Sequence, residues 1–116
     1  MTIHDKQIYM DKLWDWGFLD RCFEPTRIRL TDVDGIVERR GHFLLIEAKS
    51  PGKDVPTGQQ IMFNHLSAIP NWTILVIWGE APDQPISCMI WGKEKQIASQ
   101  DTIRQIVSRW FEEANK

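Results

Sequence analysis

Three side chains in this chain of 116 residues could do chemistry together: Asp34, and then Glu47 and Lys49 of the run Glu47-Ala48-Lys49. Carboxylate oxygens bind hard divalent cations such as Mg²⁺ or Mn²⁺. An ammonium beside them can steer a water molecule or offset charge in a transition state. That combination suits metal-assisted hydrolysis, provided the chain folds so that the three groups meet.

The segments Asp32–Glu38 and His42–Lys49 read as two strands joined by a tight Gly-containing turn, a β-hairpin. If the hairpin turns through Arg40 and Gly41, paired residues sum to 81. Arg39 then faces His42, Glu38 faces Phe43, Asp34 faces Glu47 and Asp32 faces Lys49. Strand alternation keeps residues 32, 34, 47 and 49 on one face. Opposed side chains in a hairpin have Cβ atoms about 4.5–5.5 Å apart, and like charges at that distance destabilise the sheet. Two facing carboxylates therefore call for a cation. Phe43 and Leu45 lie on the same face, so it is partly buried, where unpaired charge is expensive.

The remaining elements must hold this hairpin. Residues 5–16 read as a helix, with Tyr9, Leu13 and Trp16 sharing a face, and Gly17 just past its end. Residues 18–26 look irregular, and Arg27–Leu30 alternates like a short strand. A turn-rich loop, residues 50–56, leads to a helix over Thr57–Ile69 with Met62, Leu66 and Ile69 in register, ended by Pro70. Thr73–Trp78 is continuously apolar, as expected of a central strand buried on both faces. The connection from Lys49 is long enough for a right-handed crossover that sets this strand parallel to 43–49. Residues 86–91 form a further strand. The last helix, about 100–114, places Ile103, Ile106, Val107, Trp110 and Phe111 on one face. The fold class is α/β: one single domain, 1–116, with a central mixed sheet flanked by helices.

Acid on one strand followed by acid-x-Lys on the next, here Asp34, twelve residues, then Glu47-Ala48-Lys49, resembles the PD-(D/E)XK nuclease superfamily. The resemblance covers about two thirds of the chain. It implies a restriction-endonuclease-like αβββαβ core, to which the last strand and helix would be additions. Virus-type replication-repair nucleases and junction resolvases of that superfamily carry a glutamine near the start of the next helix, where this chain has Gly58-Gln59-Gln60. Gln59 shares the face of Met62 and Leu66 and should point to the sheet, whereas Gln60 should point away. The chain departs from the pattern in having Val33 where proline is usual, and in offering no Glu on its first helix; that ligand is either missing or replaced by Asp32 or Glu24.

The resemblance implies a Mg²⁺-dependent (or Mn²⁺-dependent) nuclease, acting on DNA and of phage type, with Asp34, Glu47, Lys49 and Gln59 at its centre. Asp34, Glu47 and the backbone carbonyl of Ala48 would hold one metal ion, or two if Asp32 joins. Lys53 in the loop and Arg39 and Arg40 at the hairpin tip could grip a nucleic-acid backbone. The alternative is a catalytically inactive nuclease-fold module that binds nucleic acid or a protein partner.

The bulk charge balance favours that alternative. The formal net charge is −2, spread evenly: residues 1–60 carry nine Lys or Arg and ten Asp or Glu, and residues 61–116 carry five and six. A passive nucleic-acid binder usually shows a basic excess; metal cations would have to supply it here. The apolar run Ile74–Trp78 is too short to span a membrane and the N-terminus lacks a signal core, which predicts a cytoplasmic protein. Cys22 and Cys88 have no metal-ligand spacing and are expected as two buried free thiols. His4, His42 and His65 show no paired spacing. Of six tryptophans, 72, 78 and 91 read as core or strand-end packing, while Trp14 and Trp110 are candidates for the surface of a homodimer.

Overall fold

The computed structural model describes residues 15–116, in two compact units divided between Asp32 and Val33. The helix expected over 5–16 lies outside the described residues except at Asp15 and Trp16, which are not helical. In the first unit Gly17–Phe23 forms a 3-10 helix, opened by the Gly17 N–H donating to Asp15 Oδ1 at 2.8 Å. The strand expected at Arg27–Leu30 is absent. Those residues are irregular and exposed, Ile28 and Leu30 included. Alternation yields a strand only where a neighbour completes the ladder and one face is covered.

The second unit is a five-stranded mixed sheet with a helix against each face. Strands β1 (Gly35–Arg39) and β2 (His42–Lys49) form the hairpin. Both turn residues have positive φ, Arg40 at 50° and Gly41 at 80°, as a two-residue turn matched to sheet twist requires. Pairing runs from Arg39↔His42 to Gly35↔Ile46, the register expected from the sequence, but it stops at Gly35 and so includes neither Asp34 nor Asp32. Helix α1 (Thr57–Ser67) crosses over to β3 (Trp72–Gly79), which runs parallel to β2. Strands β4 (Pro85–Ile90) and β5 (Gln96–Ile97) continue antiparallel, in the order β1-β2-β3-β4-β5. Two-residue β5 is too short to carry a periodic signal in the sequence. Helix α2 (Gln100–Ala114) starts at a capping box in which Ser99 and Thr102 satisfy each other's backbone N–H.

Alternation along β3 divides the core. Ile74, Val76 and Trp78 face α1 with Leu45, Val55 and Phe63. Leu75 and Ile77 face α2 with Leu44, Cys88 and Ala98, and Ile103, Ile106, Val107 and Trp110 pack onto them. Trp110, a candidate for a dimer surface, is partly buried, because α2 turns it to the sheet; Trp14 lies outside the described residues. Ile69 falls past the end of α1 and is exposed, so Phe63 joins Met62 and Leu66 as the helix's anchor. Among the described residues no helix is long and apolar enough to cross a membrane.

Both thiols are free, but only Cys88 is buried; Cys22 is exposed on the 3-10 helix. Burial pushes the Cys88 thiol up from its ordinary pKa, which lowers its thiolate fraction at any mildly alkaline pH. A thiol reagent should therefore modify one cysteine per native chain, mapped by peptide mass to Cys22, and the second only in denaturant. Fast modification of Cys88 in native protein would mean that the α2 face opens.

Candidate active site

Because β2 is pleated, Phe43, Leu45, Glu47 and Lys49 line its α1 face. The first two join the apolar layer, Phe43 stacking on Trp72 at 4.7 Å between ring centroids. Glu47 follows them into cover and is only 7% exposed. A carboxylate so placed needs partners. Lys49 Nζ lies 3.5 Å from Glu47 Oε1, and Gln59 Nε2 donates to the same oxygen at 3.1 Å. Helical spacing turns Gln59 inward with Met62, as expected, while Gln60 donates to the Val55 carbonyl at 2.8 Å. Gln59 stands in the first turn of α1, so the positive end of the helix dipole also approaches Glu47.

One group in this cluster is unsatisfied. Gln59 Oε1 is buried and accepts no hydrogen bond. Reversing the amide would not help, since it would set Oε1 against the Glu47 carboxylate. A buried acceptor of this kind costs about 1–3 kcal/mol unless a donor or a cation reaches it.

Asp34 sits at the end of the same strand by a different route. Its Oδ2 accepts the Ala48 N–H at 2.8 Å, supplying the bond that β1 would have given had pairing continued. It borders a largely apolar cavity of about 380 Å³ with Gly35, Ile46, Ala48, Ile77 and Pro82, on the α2 side of the sheet. The expectation that residues 32, 34, 47 and 49 share one face is corrected at Asp34: beyond the last rung, the pleat no longer dictates direction. A second cavity of about 160 Å³, lined by Ala48, Lys49, Ser50, Ile77 and the segment 79–82, adjoins it. Asp34 and Glu47 thus approach the end of β2 from its two sides, with Ala48 between them. Among the described residues no three His, Cys, Asp or Glu side chains gather as a metal-binding group.

Asp32 lies beyond the ladder, at the end of the first unit, so the register that opposed it to Lys49 does not extend to it. Arg39 and Arg40, the other candidate nucleic-acid contacts, have partners within the chain. Arg39 Nε donates to Asn115 Oδ1 at 2.7 Å and its guanidinium lies over the Phe111 ring, while Arg40 Nη1 donates to the Lys116 carbonyl oxygen at 2.9 Å. They fasten the hairpin tip to the end of α2, and the full length of β2, at about 3.3 Å per residue, separates them from Lys49. Lys53 is exposed in the loop after β2, and its carbonyl accepts the Trp78 indole N–H at 2.6 Å. Lys95 was missed: its Nζ stands 3.9 Å from the centre of the Trp78 ring. The surrounding run Gly92-Lys93-Glu94-Lys95 has no pattern that separates it from an ordinary charged turn.

Comparison with protein-family models, curated proteins and solved structures finds no match to this chain.

Proposed function

We propose that this protein is a metal-dependent nuclease that hydrolyses phosphodiester bonds, with DNA as the preferred substrate. The observation that carries the reading is the buried Glu47, bonded to both Lys49 and Gln59 beside an acceptor oxygen that has no donor. Oxygen donors around a shielded carboxylate are the chemistry a hard cation takes. The resemblance of Asp34 and Glu47-x-Lys49 to the PD-(D/E)XK pattern supports the same reading, as does a hairpin followed by a helix and a parallel strand.

Asp34, Glu47 and the Ala48 carbonyl would hold Mg²⁺ or Mn²⁺. When bound, such an ion supplies Lewis acidity toward water and phosphate. The protein's own groups do the positioning. Gln59 fixes the Glu47 carboxylate from above, and the Ala48 N–H fixes that of Asp34. Lys49 brings a positive charge to the same point, where it orients the attacking water and offsets charge on the phosphate. The cavity bordered by Lys49 and Ser50 leaves open space at the strand end.

One observation favours a second reading, a nuclease-fold module that binds without cutting. Glu47 is already neutralised by Lys49, and Asp34 already spends one oxygen on Ala48. The test is cleavage of supercoiled plasmid and of a labelled single strand with Mg²⁺, Mn²⁺ or EDTA, for wild type and Asp34→Asn. Metal-dependent cutting that disappears in the variant is the expected result. Binding without cutting by folded wild type, in either ion, would select the module instead.

A further inference from the structure

The Trp78 ring carries a cation that the nuclease reading does not use. Trp78 lies beside Lys49 in the parallel β2–β3 register and is 4% exposed. Its indole N–H holds the loop carrying Lys53, and its ring face carries Lys95. Lys95 comes from the turn between β4 and β5, so its ammonium reaches the ring from a segment remote in the chain from Lys49 and Lys53. Among the described residues neither Lys53 nor Lys95 forms an ion pair, although the chain has more acidic than basic residues. An ammonium held over a ring has less freedom to lose on meeting an anion. Neighbouring strands are about 4.8 Å apart, so this cation sits one strand beyond Lys49 along the sheet end.

We propose that Lys95, braced on Trp78, binds a phosphate of the nucleic-acid backbone next to the one presented to Lys49. The inference rests on the nuclease reading for its ligand, and it supplies the local basic patch that the net charge of −2 lacks. The contact is to phosphate, so it positions the strand and carries no sequence preference.

The test is binding of fluorescein-labelled duplex and single-stranded DNA in EDTA, where cleavage is suppressed, over a series of salt concentrations. Lys95→Gln should weaken binding alike for unrelated sequences. It should also lower the slope of log K against log salt by about 0.9 for duplex or 0.7 for single strand, the loss of one phosphate contact. Lys95→Arg should keep the slope, and Lys93→Gln, an exposed lysine in the same turn, should leave it unchanged. An unchanged slope in Lys95→Gln, with wild type binding normally, overturns the Lys95 assignment alone. A lower melting temperature with no change of slope gives Lys95 a structural role and also overturns it. Wild type that neither binds nor cuts DNA removes the nuclease reading and this proposal with it.

Discussion

Lys49→Ala should lower metal-dependent cleavage by about 10²–10³-fold, the usual cost of removing a preorganised charge from the reacting phosphate. Single-turnover assays at saturating DNA measure this directly, because binding through Lys53 and Lys95 should survive. The same change has a second, separable consequence. Both charges of the Glu47–Lys49 pair are largely covered, at 10% and 15% side-chain exposure, so alanine leaves a carboxylate with only Gln59 for company. Stranding one member of a buried pair costs about 3–5 kcal/mol. Thermal melting should therefore show Lys49→Ala destabilised, and Glu47→Gln in the same chain should restore much of the loss. Activity would not return in that double variant. Cleavage by Lys49→Ala within a few-fold of wild type would remove Lys49 from the chemistry.

How far the sequence foretells this arrangement depends on the range of the forces involved. The hairpin register is local: a Gly in a two-residue turn and strict alternation fix Arg39↔His42, and the rest of the ladder follows to Gly35↔Ile46. The inward direction of Gln59 is equally local, since Met62 and Leu66 set the buried face of the helix. Parallel pairing of β3 follows from the length of its connection. What the sequence misses lies where local rules end. Arg27–Leu30 alternates but finds no neighbour. Asp34 is past the last rung, so its carboxylate follows the free Ala48 N–H and not the pleat. Lys95 meets Trp78 only because β4 and β5 extend the sheet, and Arg39 and Arg40 are taken up by α2 because that helix ends at the hairpin tip. Each of these contacts joins segments far apart in the chain, and no periodicity encodes them.

Phe63→Ala should be the most damaging change to stability away from the charged cluster. Phe63 is the one fully buried side chain of α1, set among Leu45, Ile74, Val76 and Trp78, with the Trp91 ring edge-on at 5.3 Å. Truncating such a residue costs about 3–5 kcal/mol, lost transfer energy plus the cavity left behind. A small domain has only about 5–15 kcal/mol in total, and each kcal/mol shifts its Tm by about 4–8 °C. A fall of tens of degrees is expected by circular dichroism, with Phe63→Leu milder because it refills much of the space. The effect should reach the site as well. Gln59 and Phe63 are four residues apart, one turn of the same helix, so the ring that presses α1 onto the sheet also sets the height of the amide over Glu47. If the proposed reading holds, Phe63→Leu should stay folded and lose cleavage out of proportion to its loss of stability. Wild-type turnover in that variant would show that Gln59 keeps its place without the phenyl ring, and that the Glu47 cluster, not the core beneath it, fixes the helix.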